Sequence, residues 1–129
     1  MSVETLVAYL KHFQKPETII TMRQLDVYVN GQKAGVLTEQ NPGRGYAFCY
    51  DDAYLASDGP SISVTLPKRK EAYNSPGLFP FFMNMLPEGA NRRVICRLSR
   101  VDESDFFGLL SAMAGKDFIG AVHVETASG

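Results

Sequence analysis

A short hairpin sequence near the start of the chain is the strongest constraint on how the chain can fold. It reads LDVYV, then Asn-Gly at positions 30 and 31, then QKAGVL. An Asn-Gly pair favours a two-residue turn between antiparallel strands, because both turn residues need a positive φ. Folding about this turn pairs Val27 with Ala34, and it also pairs Leu25 with Val36. One apolar face is therefore predicted, formed by Leu25, Val27, Val29, Ala34 and Val36.

Strand-like alternation continues after the hairpin. Residues 46–50 have aromatic side chains at alternate positions, and residues 51–56 are predicted to form one short helical turn. Residues 61–66, SISVTL, alternate hydroxyl-bearing and apolar side chains, which predicts a fourth strand that ends at Pro67. Residues 67–79 are rich in charged and turn-forming residues and are predicted to be a loop.

The second half of the chain changes to a helical period. Residues 80–86 are helix-like, and longer helices are predicted over 88–100 and 103–114, the second with Asp102 as N-cap and Gly115 as its end. Residues 120–124 predict a last strand. Strands followed by helices with short connections favour an α+β fold, here a small curved antiparallel sheet of about five strands with helices.

Residues 2–15 have a helical apolar stripe, consisting of Val3, Leu6, Val7, Leu10 and Phe13. An isolated helix of this length is marginal in water, so the stripe should pack on the protein's own core or on a partner. Both alternatives stay open. We divide the chain into an N-terminal helical extension, 1–21, and one domain, 22–129. Whether Met22 is a natural start is also open.

Length and composition exclude several classes of protein. A chain of 129 residues with 45% hydrophobic residues can form one compact domain, but it is too short for a complete kinase or a TIM barrel. The net charge of −1 argues against direct binding of nucleic acid. Two cysteines, Cys49 and Cys96, are expected to be reduced and buried. Without a signal peptide or an 18-residue apolar run, we expect a cytoplasmic protein with no membrane contact.

Patterns that would indicate catalysis are weak. His12 and His123 are far apart and have no cysteine at ligand spacing, so no metal site is predicted. The tetrads DFFG at 105–108 and DFIG at 117–120 each have one residue too many for the D-F-G kinase motif. We therefore predict no catalytic residue and no cofactor.

Two basic clusters are candidate interaction surfaces. Lys68, Arg69 and Lys70 lie in the predicted loop. Arg93, Arg97 and Arg100 are spaced i, i+4 and i+7, which predicts one shared helix face. A solvated face is the simpler interpretation of each cluster. An acidic protein partner is the alternative, and it is favoured over DNA because the whole chain is not basic.

The string FFMNMLPEG at 81–89 resembles the F-F-x-N-L-L-P-E-G signature of the N-terminal subdomain of HipA-type kinases. The hairpin, the aromatic strand ending at Tyr50, the S-x-S-x-x-L-P string at 61–67, Tyr73 and the closing GAV at 120–122 follow in the same order. The resemblance covers residues 22–126. It departs at 115–121, where GKDFIGA stands in place of G-x-D-C-x-G-A, and no kinase core follows within the 129 residues.

The chain is most similar to the stand-alone HipS antitoxin of HipB-HipS-HipT toxin-antitoxin systems. This resemblance implies an antitoxin without catalysis of its own that binds and inhibits a HipT/HipA-like Ser/Thr kinase toxin. A HipB-like helix-turn-helix protein would join the complex, so that DNA is bound only indirectly. Two alternatives remain, an N-terminal fragment of a full-length HipA-like kinase and, less favoured, a DNA-binding regulator that uses the three arginines.

The expected partner-binding surface lies in the loop and just after it. It consists of Lys68, Arg69, Lys70, Tyr73, Phe79, Phe82 and Asn84. A possible secondary interface consists of Arg93, Arg97 and Arg100. Phe81, Leu86 and Pro87 are expected to build the domain's own core.

Overall fold

A five-stranded antiparallel sheet is the centre of the fold, in a computed structural model that describes residues 22–114 and 120–127. The strands are β1 (Arg23–Val29), β2 (Gln32–Asn41), β3 (Arg44–Tyr50), β4 (Tyr73–Ser75) and β5 (Val122–Thr126). The helices are α1 (Asp52–Leu55), α2 (Pro80–Met83), α3 (Gly89–Ser99) and α4 (Phe106–Ala112). The strand order is β4-β3-β2-β1-β5, which confirms the predicted α+β class. The predicted helix at 2–15 lies outside the described residues. The predicted end of the last helix at Gly115 is wrong, because α4 already ends at Ala112, with Met113 as its C-cap.

The hairpin turn is as predicted, but its register is not. Asn30 and Gly31 have positive φ values of 49° and 82°. The register then shifts between Val27 and Tyr28, so that Val27 faces Gly35 and Leu25 faces Leu37. The predicted pairs with Ala34 and Val36 are therefore wrong. A β-bulge adds one residue to β2 and exchanges its faces, which buries Leu37 and leaves Val36 half-buried.

Gly35 shows what the shifted register requires. A Cβ atom at this position would lie 2.3 Å from the carbonyl oxygen of Cys49 on β3. Only a residue without a side chain fits there, because the obstacle is backbone that cannot move aside. The close approach of β2 and β3 therefore depends on this glycine.

Residues 61–66 do not form the predicted fourth strand. They contain one isolated bridge between Ser63 and Leu66, and Val64 at the tip of that turn is 95% exposed. The fourth strand is β4, inside the predicted loop, where Tyr73 pairs with Phe48. The Tyr50 hydroxyl accepts a hydrogen bond from the Ile62 backbone N–H at 2.9 Å and donates to the Leu66 carbonyl, which replaces the partners that a sheet would provide.

The two long helices are shorter than predicted. The α3 helix ends at Ser99, and Arg100 follows with a left-handed φ of 57°. Asp105, not Asp102, caps α4 by accepting a hydrogen bond from the Gly108 N–H at 3.0 Å. Asp102 instead accepts from the Ser104 N–H at 2.9 Å, in the turn that precedes the helix. The last strand is β5, which starts two residues later than predicted.

The core lies on the sheet face that bears the alternating aromatic residues of β3. Tyr46, Phe48 and Tyr50 are all buried, as the alternation predicts. Phe82 of α2 and the buried side chains of α4 pack with them in one cluster. Cys96 is also buried there, as expected, but Cys49 is exposed because it alternates with Phe48 and Tyr50 and faces the other side of β3.

Candidate protein-binding surface

The segment between α1 and β4 is held in place by tyrosine hydroxyls from the core. Tyr54 of α1 donates to the Pro60 carbonyl at 2.6 Å, and Tyr50 binds the turn at 62–66 as described above. Burial raises the pKa of both phenols, so both stay protonated and remain donors at neutral pH. The segment is therefore an ordered surface, although it contains little regular secondary structure.

The Lys68 side chain forms hydrogen bonds within this segment. Its Nζ donates to the carbonyls of Ser57 and Gly59, each at 2.8 Å, and lies 4.9 Å from the centre of the Tyr54 ring. An ammonium group has three donors, and these contacts use two of them. Of the predicted partner-binding residues, Lys68 thus has a clear role in holding the loop.

Arg69 and Tyr73 form the most organised part of the exposed surface. The guanidinium lies over the Tyr73 ring at 3.6 Å, and it donates to the carbonyls of Glu71 and Ala72 at 3.1 and 3.0 Å. The Tyr73 hydroxyl donates to the Pro67 carbonyl at 2.6 Å. A guanidinium held in this way would lose little side-chain entropy on meeting a carboxylate or a carbonyl.

The other predicted residues divide into exposed and buried ones. Lys70 and Asn84 are exposed, and Asn84 ends α2. Phe82 is 0% exposed and Phe79 is 7% exposed, and their rings lie 6.2 Å apart in the core. Phe82 also contacts Phe48, the β3 residue that pairs with Tyr73. These two phenylalanines therefore lie beneath the surface, and the exposed members of the predicted set define what a partner could touch.

Three residues of this region were expected to build the domain's own core. Leu86 is buried, and Phe81 is half-buried and packs against the core cluster. Pro87 is also half-buried.

The predicted shared face of three arginines is only partly present. Arg93 and Arg97 are exposed on α3 and line one surface hollow together with Asp102 and Glu103. Arg100 lies beyond the helix end and lines a different hollow, so it does not extend their face. The i, i+7 spacing fails because the helix stops one residue before Arg100.

Three exposed apolar residues were not identified from the sequence as candidates for a binding surface. Val64 is at the tip of the 63–66 turn, and Val94 and Leu98 are on α3, with exposures of 48% and 78%. The helical period would have found the α3 pair, because both residues are two positions from the buried Cys96 and thus on the opposite side of the helix. Val64 could not be found in this way, since the alternation of residues 61–66 suggested a buried face.

Other kinds of site find no support in the part of the chain that the structure describes. No group of three or more His, Cys, Asp or Glu side chains within 22–114 and 120–127 could hold a metal ion. None of the helices in these ranges is long and apolar enough to cross a bilayer.

Comparisons with known proteins agree with this architecture. Residues 25–125 match the family model described as HipA N-terminal domain. A solved structure, the N-terminal domain of HipA toxin, is 28% identical with a TM-score of 0.57, and the match covers 82% of this chain and 95% of that one.

The similar proteins differ in how much of their own length the match covers. An uncharacterized protein of Haemophilus influenzae is 32% identical over 104 residues, which cover 81% of this chain and 92% of that protein. Two proteins of Sinorhizobium fredii, named "Putative kinase Y4mE" and "Putative kinase Y4dM", are 32% and 34% identical. The matched part is 25% and 27% of their lengths, so the chain spans about a quarter of each.

Proposed function

The chain belongs to the HipA N-terminal domain family, and from this premise we propose that it is an antitoxin that binds and inhibits a HipT/HipA-like Ser/Thr kinase toxin. The HipA N-terminal domain is not the catalytic kinase domain. We propose that this protein is likewise non-enzymatic and acts by protein–protein contact in the cytoplasm. A HipB-like helix-turn-helix protein would supply DNA binding to the larger complex.

The Arg69–Tyr73 stack is the observation that supports this proposal most directly. It presents a cation in a fixed geometry on a loop that the core holds in place, next to the exposed Lys70. Arginine and tyrosine are enriched among the residues that dominate the binding energy of protein interfaces. The Val64 side chain, on the same segment, adds an exposed apolar group.

Co-expression with a HipT/HipA-like kinase from the same genome tests the function. We expect the chain to relieve the growth arrest that the kinase causes and to co-purify with it. Failure of both would contradict the proposal.

Charge reversal tests the surface. Arg69→Glu should weaken the complex at least tenfold, because it replaces a pre-oriented cation with an anion. The matched control is Arg44→Glu, which makes the same change at an exposed residue at the start of β3 and should leave affinity within about twofold. Equal losses in both variants would contradict the placement of the interface on the 68–73 loop.

A second candidate is supported by the two Sinorhizobium fredii relatives, since the chain matches only a quarter of each. In that case the chain is the N-terminal part of a full-length HipA-like kinase. The genomic reading frame after codon 129 decides between the two. A continuing frame with kinase motifs supports the fragment, and a stop followed by a separate kinase gene supports the antitoxin.

Direct binding of DNA remains the least favoured function. Arg93 and Arg97 would be its only shared helix face among the described residues, because Arg100 has left the helix. We expect no salt-dependent binding of duplex DNA by the isolated protein, which a titration at two salt concentrations would show.

A further inference from the structure

The α3 helix has an apolar side that none of the described residues covers. Val94 and Leu98 are one helical turn apart and are 48% and 78% exposed. Only Cys96 is fully buried along the whole 11-residue helix. A helix of this length gains most of its stability from packing, so an uncovered apolar pair suggests a missing contact.

The described chain begins next to the end of this helix. Arg23, the first residue of β1, lines a surface hollow of about 430 Å³ together with Ser99 and Arg100 at the end of α3. Met22, just before Arg23, is another exposed large apolar residue, at 47%. The segment 1–21 therefore joins the domain close to Ser99 and Arg100, at the C-terminal end of α3.

That segment has the chemistry and the length to cover α3. The apolar stripe of residues 2–15 is formed by Val3, Leu6, Val7, Leu10 and Phe13. As a helix it would be about 21 Å long, compared with about 16 Å for α3. The six residues 16–21 can span up to about 20 Å, which is enough for the stripe to turn back along α3.

We propose that the apolar stripe of residues 2–15 docks on α3 over Val94 and Leu98, so that this chain covers its own exposed helix. A second copy of the chain is a less suitable occupant of this helix face. Packing of two α3 helices would bring Arg93 and Arg97 of one copy close to the same two arginines of the other, and these like charges repel. An acidic partner protein is the remaining occupant, and the experiment below distinguishes it. The inference does not depend on the proposed antitoxin role.

A single tryptophan can report on this contact, because the chain contains none. Leu98→Trp places it on α3, and the control Val64→Trp places it at a site that is 95% exposed. We expect Leu98→Trp in the full chain to emit at shorter wavelength than the control and to be quenched by acrylamide several-fold less. Adding Leu6→Glu and Leu10→Glu should give Leu98→Trp the emission wavelength and the acrylamide quenching of the Val64→Trp control. The same two changes should leave the emission of the control unchanged.

Several results would overturn the proposal. Solvent-like emission of Leu98→Trp in the full chain would do so, as would shielding that survives the Leu6→Glu and Leu10→Glu changes. Shielding that grows with protein concentration would identify a second copy, and shielding that appears only after the kinase is added would identify a partner. As a second measurement, Leu98→Glu should lower the melting temperature of the full chain but not that of the Leu6→Glu, Leu10→Glu variant.

Discussion

Arg23 connects the two layers of the domain at the residue scale. It forms an ion pair at 2.6 Å with Glu39, whose side chain is 0% exposed, and another at 2.8 Å with Asp105, the cap of α4. Glu39 also accepts hydrogen bonds from the Gly43 N–H and the Tyr46 hydroxyl, at 3.0 and 3.1 Å. The buried carboxylate thus has partners for both oxygens, which is the condition under which a buried charge is tolerated.

Arg23→Met should destabilise the protein by about 3 kcal/mol. The change keeps a long apolar side chain but leaves Glu39 buried without its cation, and removal of one partner from a buried pair costs about 3–5 kcal/mol. We take the lower end because the Arg23 side chain is 37% exposed. Urea denaturation measures the difference. Arg44→Met, at an exposed arginine, should change stability by less than about 0.5 kcal/mol, and an equal effect there would refute the argument.

The Asp105 carboxylate should make stability depend on pH in the acid range. The hydrogen bond from Arg23 and that from the Gly108 N–H lower its pKa, although partial burial opposes them. A lowered folded-state pKa stabilises the protein above the unfolded value of about 3.9, and this contribution is lost as the pH falls through the folded value.

Asp105→Asn isolates this effect, since asparagine can still cap the helix. The stability difference from wild type should be constant from about pH 5 to 7 and should shrink below about pH 4. Urea midpoints across this range would show it. Asp58→Asn, at an exposed aspartate, serves as the control, and a pH-independent difference for Asp105→Asn would contradict the assignment.

At the scale of elements, the end of α3 is set by Arg100. Its φ of 57° lies in the left-handed region, where glycine is the residue most often found at a helix end. Its N-terminal neighbours in α3 have ordinary helical backbone up to Ser99. Arg100 therefore has a β-carbon at a position where the backbone conformation favours glycine.

Glycine substitution should have opposite effects on either side of this boundary. Arg100→Gly should stabilise the protein by up to about 1 kcal/mol, because it relieves the left-handed conformation. Arg93→Gly, at an exposed position inside α3, should destabilise it by about 1 kcal/mol. Melting temperatures of the two variants test this, and destabilisation by Arg100→Gly would show that its side chain has a contact worth more than the strain.

At the scale of the whole molecule, the two ends of the described domain meet in one sheet. β5 returns to pair with β1, Val124 opposite Val27, so the last strand depends on the first. The Tyr28 and His123 rings stack at 5.0 Å across this pair. Because the final contact joins residues about 100 positions apart, the domain should unfold as one cooperative unit.

The two cysteines can report on this cooperativity. Cys49 is exposed and Cys96 is buried, and burial raises the pKa of the Cys96 thiol. A thiol reagent should therefore label one equivalent per native chain quickly and the second only at the rate of unfolding. Cys49→Ser should abolish the fast phase, whereas Cys96→Ser should abolish the slow one. Two fast equivalents in the native protein would mean that α3 opens locally.

Local patterns were sufficient for much of the fold. The Asn30-Gly31 turn, the aromatic alternation of β3 and the short helix α1 follow from turn chemistry and side-chain period, which need no distant contact. The family was also recognisable from the order of short motifs. The exposure of Arg69 and Lys70 follows from their position in a charged, turn-rich segment, whereas Tyr73 in that segment is half-buried and Asn84 is exposed at the end of α2.

The sequence by itself determined the α+β class, the hairpin turn and the approximate place of each long helix, because these depend on residues close together in the chain. Only the tertiary structure decided the bulge beside Gly35, the pairing of Tyr73 with β3 and the burial of Phe79 and Phe82. The 61–66 segment shows the reason. Its alternation is compatible with a strand, but the segment forms a turn instead. The Tyr50 hydroxyl, which lies 12 residues before Ile62 in the sequence, accepts the hydrogen bond of the Ile62 backbone N–H in that turn. Which of two compatible local structures forms is settled by the partner that the fold brings to it.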